Sequence, residues 1–325
     1  MQLPENDVPG PQRDFVGYGR SLPRVVWPNG ATVALSVCVN YEEGSEPSHP
    51  DGDGRNAGFA EIPYPLDPAV RDLTAESGYE YGSRVGSWRI ARALDTAGVR
   101  ATFLACAVAL ERNSEVAAYI RERGHEPCCH GWRWEEVFRL TREEEREHML
   151  AAIVSIRETC GERPVGWYLR ATPSAHTREL LVEEGGFLYD SDAYNDDLPY
   201  FAEVAGKQHL VVPYSFVYND ARFVLAPGYA RPDDFTDLCS RGLAQLRREG
   251  QQGFPKLMSV GVHPRWIGQA GRIDALARFL EEARTHGDVW IATRREIAEW
   301  WIAHHGEFER RAAPGPPSGQ PLARC

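Results

Sequence analysis

Three stretches of the 325-residue chain set chemically capable side chains directly behind apolar runs. In Asn40-Tyr41-Glu42-Glu43-Gly44 two carboxylates are adjacent. Neighbours on a strand point to opposite faces, so one can serve as a base for water and the other as a ligand or orienter. Cys129-His130-Gly131-Trp132-Arg133-Trp134 carries a histidine, whose titration falls near neutral pH, ahead of two tryptophans able to wall a pocket. Val260-Gly261-Val262-His263-Pro264-Arg265 repeats the strand-then-histidine pattern. Arg170 and Asp192 stand behind two further short apolar runs. Each feature has a plainer reading: strand-end carboxylates are commonly solvated, a single histidine is usually structural, and large aromatics mostly pack in cores. Two histidines at two strand ends are harder to set aside.

The elements that must position these residues alternate along the chain. Strands are expected at 31–40, 101–106, 126–129, 165–169, 188–190, 210–213, 256–262 and 289–291, and helices at 83–97, 114–123, 141–160, 176–184, 233–249 and 273–286. Gly98 and Gly124 mark helix ends, and Thr141-Arg142-Glu143-Glu144 has the form of a capping box. Alternation of this kind predicts an α/β fold with a mainly parallel sheet, doubly wound or closed into a barrel, and an active face at the strands' carboxyl ends. No Gly-x-Gly-x-x-Gly turn or phosphate loop is present, which argues against nucleotide binding. The Gly-, Asp- and Pro-rich stretch 44–75 is too long for an ordinary connection and is expected to be a lid, an oligomer contact or a substrate wall. Residues 307–325 are poor in apolar side chains and are expected to be mobile.

Lysine plus arginine is 36 and aspartate plus glutamate 47, giving a net charge of −11 spread along the chain, the opposite of a nucleic-acid footprint. Hydrophobic residues at 42% are enough for a substantial core. No apolar run reaches membrane-spanning length, and the first residues include Pro4, Glu5, Asp7 and Pro9, so a cytoplasmic protein without a membrane partner is expected. The seven cysteines, Cys128-Cys129 among them, lack metal or redox spacing and are expected as buried free thiols, with Cys325 in the tail.

Taken in order, the Asn40 to Gly44 segment, the His130 turn, Leu169-Arg170-Ala171-Thr172-Pro173 and Val262-His263 resemble the conserved segments of the polysaccharide deacetylase (NodB-type) superfamily. Arg13-Asp14-Phe15-Val16-Gly17-Tyr18-Gly19, Tyr79-Glu80-Tyr81-Gly82-Ser83-Arg84, Gly161 to Tyr168 and Tyr189 to Tyr200 resemble its metal-independent allantoinase and cyclic imide hydrolase branch. Residues 169–178 depart from the allantoinase pattern towards the Arg-Ala-Pro turn of ordinary deacetylases. The resemblance implies a distorted (β/α)7-type barrel, taken here as one domain over 1–306, and a homo-oligomer, often a tetramer. It also implies a hydrolase of carbon–nitrogen bonds, opening a small cyclic amide, ureide or imide.

Family deacetylases hold a divalent metal with one Asp and two His four residues apart, beside a second Asp that acts as base. Carried over, Glu42 takes the base position, Glu43 the ligand position and His130 the first histidine, while Trp134 stands at the second. An indole N–H offers a metal no lone pair. Glu43 and His130 alone would hold an ion weakly, so no bound cofactor is expected, a weakly held zinc or other divalent ion being the alternative. In the metal-free scheme Glu42 activates water, its pKa raised by the like charge of Glu43. His130 holds the water or the substrate, His263 protonates the leaving nitrogen, and Arg170 steadies developing charge or orients Asp192. Tyr41, Trp132, Trp134, Trp167 and Tyr194 are the expected substrate contacts. An N-deacetylase of a small acylated amine or sugar, and a barrel that binds ligand without catalysis, are the competing readings.

Overall fold

The computed structural model describes residues 10–170, 172–226, 228–308 and 310–312. Its strands are β1 (Ser21–Pro23), β2 (Val33–Tyr41), β3 (Thr102–Ala105), β4 (Glu126–Cys129), β5 (Gly166–Trp167), β6 (Tyr189–Asp190), β7 (Tyr200–Val204), β8 (Lys207–Val211), β9 (Lys256–Val262), β10 (Val289–Ile291) and β11 (Arg310–Ala312). Its helices are α1 (Leu73–Tyr81), α2 (Ser87–Ala97), α3 (Ala107–Arg112), α4 (Ser114–Glu122), α5 (Arg142–Cys160), α6 (Thr177–Glu184), α7 (Pro232–Gln251), α8 (Ile273–Thr285) and α9 (Arg294–His304).

β2 is the hub. It pairs in parallel with β9 along one edge and with β10, then β3, along the other. The sheet continues in parallel through β4, β5, β6 and β8. This is the distorted (β/α) barrel that the family resemblance implied, one of the two forms that the alternation of elements left open. β2 has the continuous apolar sequence of a strand covered on both faces, and its alternation divides the core. Val33, Leu35, Val37 and Val39 face the helical layer with Leu94, Ile156, Phe235 and Phe279. Ala34 and Cys38 face the barrel interior with Leu104, Tyr189, Leu210 and Leu257. The capping box of α5 forms as expected, Thr141 accepting from the Glu144 backbone while Glu144 reaches back.

The chain departs from the sequence expectation in four places. β7 and β8 form an antiparallel hairpin where a single strand at 210–213 was expected, because Ala205 adopts φ 49° beside Gly206 in a turn that usually signals itself with Asn or Asp. The short helix α3 lies in a stretch expected to be a connection. The helix expected at 83–97 starts earlier, at Leu73, and passes through a π-helical turn, Gly82–Gly86. Of the tail expected to be mobile, β11 pairs with β1. Residues 1–9, Ala171, Pro227, Glu309 and 313–325 with Cys325 lie outside the described residues. Six cysteines are buried free thiols, and among the described residues no helix is long and apolar enough to cross a membrane.

The 44–75 stretch folds back over the strand ends. Arg133 pairs with Asp53 at 2.7 Å and Arg112 with Asp51, which pins the stretch to the barrel. Residues 55–68, Val70 and Asp72 then wall a cavity of about 850 Å³ together with Tyr79, Trp134, Arg170, Val224, Leu225, Arg265 and Trp266. The loop is thus a wall of this chain's own cavity.

Candidate active site

β2 ends by delivering Glu42 and Glu43 into a buried cluster, both carboxylates shut off from solvent. β4 delivers His130, whose Nδ1 donates to the Tyr168 carbonyl at 2.8 Å while its ring stacks on the Tyr168 ring. That leaves His130 Nε2 facing Glu42 Oε1 at 3.3 Å. β9 delivers His263, and its Nε2 lies 3.6 Å from the same Glu42 oxygen. Behind it, Nδ1 donates to Asp220 Oδ1 at 2.6 Å, and the other Asp220 oxygen accepts the backbone N–H groups of His263 and Ile267. Asp220 is therefore a fixed, fully buried partner that sets the ring's orientation.

Arg265 completes the cluster. One of its terminal nitrogens, Nη1, donates to Glu42 Oε2 at 2.8 Å and lies 3.4 Å from Glu43 Oε1, which also accepts the Arg265 backbone N–H at 3.1 Å. The guanidinium is enclosed by the rings of Trp266, Tyr79 and Trp134, with centroids 4.2, 4.9 and 5.2 Å away. Aromatic faces favour a cation held over them.

These contacts divide the two carboxylates. Burial alone would raise Glu42, but Arg265, His263 and the His130 hydrogen bond outweigh it and hold it well below the usual carboxylate range. Burial pushes Glu43 up to about 7 against the pull of Arg265, helped by the charge on Glu42. The expectation that Glu43 would raise Glu42 is thus corrected: the cations sit on Glu42, and Glu43 carries the raised value. For His263, burial favours the neutral ring, yet Asp220 and Glu42 raise it to about 9. At neutral pH the site holds an ionised Glu42 next to a His263 imidazolium, a proton acceptor beside a proton donor.

The other expected residues are more scattered. Trp134 lines the cavity, with the Arg170 guanidinium 3.5 Å above its ring and bonded to its carbonyl at 3.0 Å. Arg170 therefore orients Trp134 and not Asp192, which corrects that expectation. Asp192 accepts the Leu169 N–H, leaves one oxygen without a partner, and is raised to about 8 by burial and the charge of Asp190. Trp167 packs edge-on against Phe187 in the main core. Tyr41 is fully buried with its hydroxyl on Ser83. Trp132 packs half-buried against the core, and Tyr194 stacks on Phe216 with its hydroxyl on Tyr168. None of these five, Asp192 included, lines the cavity, and Glu42, Glu43, His130 and His263 meet it only through Tyr79, Trp134, Arg265 and Trp266, which do. Asp220, Arg265 and Tyr79 were not singled out from the sequence.

The donor set does not suit the family's divalent ion. Glu43 is occupied by the Glu42 N–H at 3.2 Å and by two groups of Arg265, His130 faces the other glutamate, and Trp134 offers no lone pair. No group of three or more His, Cys, Asp or Glu able to hold a metal occurs among the described residues.

Gly82 in the π-helical turn permits this packing. A Cβ there would meet Glu43 Oε1 at 2.6 Å and Cγ at 2.7 Å. Gly82→Ala should lower stability by about 1–3 kcal/mol through overpacking and, by displacing Glu43 and with it Arg265, cut turnover by about tenfold. Gly271→Ala, where an added Cβ meets nothing within 4 Å and which lies away from the cavity, is the control. Thermal melts and kcat that match for the two variants would remove the role given to Gly82.

The polysaccharide deacetylase family pattern matches residues 70–184. Over 314 residues the chain is 35% identical to a Schizosaccharomyces pombe protein named as a polysaccharide deacetylase, covering 90% of this chain and 98% of that one. Among solved structures, a probable polysaccharide deacetylase of Pseudomonas aeruginosa and PuuE allantoinase each superpose with a TM-score of 0.86 at 42% identity, over 90% of this chain and 98% of theirs.

Proposed function

Because the chain belongs to the polysaccharide deacetylase family and is a hydrolase of that family, we propose that it opens a small cyclic amide, ureide or imide in the manner of an allantoinase. The observation that carries this reading is the acid–base pair on one carboxylate, Glu42 Oε1 with His263 Nε2 3.6 Å away. The 42% identity to PuuE allantoinase supports the same class.

Glu42 accepts a proton from water as the water oxygen bonds to the ring carbonyl carbon. The carbonyl electron pair moves onto its oxygen. When that pair returns, the carbon–nitrogen bond breaks and the nitrogen leaves with the proton of His263 Nε2. Proton transfer from Glu42 to His263 across their short separation restores both groups, and the product acid ionises to solvent. Such acid and base assistance contributes about 10²–10⁴-fold each. A ring amide suits these modest means because its leaving nitrogen stays tethered. His130, with Nε2 3.3 Å from Glu42 Oε1, orients the water, and Trp134, held by Arg170, gives a wall for the ring.

Allantoin, hydantoin and succinimide offered to EDTA-treated protein test the reading, with metal content measured on the same sample. Ring opening by protein holding far less than stoichiometric metal is expected. An inactive apoprotein, restored by zinc or manganese and then active on acetylated amines, would mean a metal-dependent deacetylase instead.

A further inference from the structure

Two carboxylates one residue apart and fully buried are a costly arrangement without a compensating cation. The compensating cation here belongs to the protein. Arg265 is itself 3% exposed, touches both glutamates through Nη1, and is fixed by its backbone N–H on Glu43 and by three aromatic rings. Only Nη1 is engaged: Nη2 and Nε of Arg265 have no hydrogen-bond acceptor among the described residues, and the residue lines the cavity. Those remaining N–H donors are therefore offered to whatever the cavity holds.

We propose that Arg265 is the fixed cation of this active site: it supplies the positive charge that a divalent ion supplies in metal-dependent relatives, polarising the substrate carbonyl and holding the oxyanion. This rests on the ring-opening reading for its chemical step. As water oxygen bonds to the carbonyl carbon, the π pair moves to the carbonyl oxygen, which accepts hydrogen bonds from Nη2 and Nε. No proton leaves the guanidinium, and the oxygen's electron pair reforms the C=O as the carbon–nitrogen bond breaks. The donors are in place before reaction and need no reorganisation. The same guanidinium also excludes an ion, because it occupies the carboxylates that an ion would need.

The chemical arm of the test compares Arg265→Ala and Arg265→Lys on the ring amide the wild type opens, with and without ethylguanidinium in solution. Arg265→Ala should lose about 10²–10³-fold in kcat, the range found when an oxyanion donor is removed. Arg265→Lys should fall between, since it keeps charge but not the planar fork. Added ethylguanidinium should restore at least about tenfold to the alanine variant only, a response that a purely packing role does not give. An alanine variant within about threefold of wild type, or a folded but inactive one that ethylguanidinium leaves inactive, overturns the proposal.

The second arm uses the metal alone and needs no substrate. Trp134→His restores the family's second histidine, and Trp134→His with Arg265→Ala also removes the cation. After dialysis against zinc, elemental analysis should find a full equivalent in the double variant and far less in Trp134→His. A full equivalent in Trp134→His, with Arg265 still present, overturns the claim that the guanidinium stands in the ion's place. A wild type that opens no ring amide removes the functional reading, while this arm still decides whether Arg265 replaces the ion.

Discussion

Glu42→Gln should reduce kcat by about 10³-fold while leaving the protein folded, because the amide keeps the shape of the carboxylate but cannot take a proton from water. The loss should appear in kcat rather than KM, since Glu42 faces His130, His263 and Arg265 rather than a hydrophobic binding wall. Stability should fall too, but less than when a buried pair is simply broken, which costs about 3–5 kcal/mol. Glu43 lies 3.4 Å from the same Arg265 nitrogen, and its pKa of about 7 is raised partly by the charge on Glu42. With that charge removed, Glu43 ionises and takes over the guanidinium, so a loss of about 1–3 kcal/mol is expected. Steady-state kinetics and a urea titration check the two halves separately. Full activity in Glu42→Gln would exclude it as the base, and Glu43→Gln would then be the variant to examine.

The stability that Glu42 adds has a definite pH range. Its folded value is held below the ordinary 4.5, so the contribution is fully present above about pH 4.5 and disappears as the pH falls through the lowered folded value. Glu42→Gln should therefore flatten the acid side of the stability profile.

The strand ends were legible because the pattern around them is local. An apolar run such as Val33 to Val39 forces a buried strand, and polar residues immediately behind it must emerge at the sheet's edge, where Glu42, Glu43, His130 and His263 are found. What the sequence leaves unmarked is contact between distant segments. Asp220 lies 43 residues before its partner His263, in a stretch with neither strand nor helix periodicity, and no spacing rule joins them. Arg265 was visible two residues beyond His263, yet a strand continued to that point would not have turned it back on Glu42. The turn at Pro264, packed against Gly86 so closely that a Cβ there would meet the Pro264 carbonyl oxygen at 2.0 Å, does so. Trp167 illustrates the opposite error: the sequence reading counts it among the substrate contacts, but alternation on β5 sends its ring to the core against Phe187.

The electrostatics of the cluster follow from that same long-range assembly. Adjacent like charges suggest that one glutamate must be raised, and from sequence alone the choice between them is open. Arg265 Nη1 at 2.8 Å from Glu42 and 3.4 Å from Glu43, with both histidines on the Glu42 side, decides it. In the proposed ring opening Glu42 is thus ionised at neutral pH, and its weak proton affinity is offset by His263, which takes that proton once it has given its own to the leaving nitrogen.

That imidazolium gives the second large effect. His263→Ala should lower kcat by about 10²–10⁴-fold, the range for loss of a general acid, and should remove the alkaline limb of the pH profile. In the wild type, activity should fall as the pH rises through about 9, where His263 loses its proton. Asp220→Asn is the more discriminating variant, because the acid remains while its partner's charge is gone. Asp220 is the largest of the influences raising His263 against burial, so the alkaline limb should move from about 9 towards neutral pH, with activity near pH 6 much less affected. Stability should change in the same direction. His263 contributes fully below its ordinary value of 6.5 and loses that contribution as the pH climbs through about 9, so Asp220→Asn should be most damaging to stability on the acid side of that window. An alkaline limb that stays near 9 in Asp220→Asn would show that the limb belongs to another group and that His263 is not the acid.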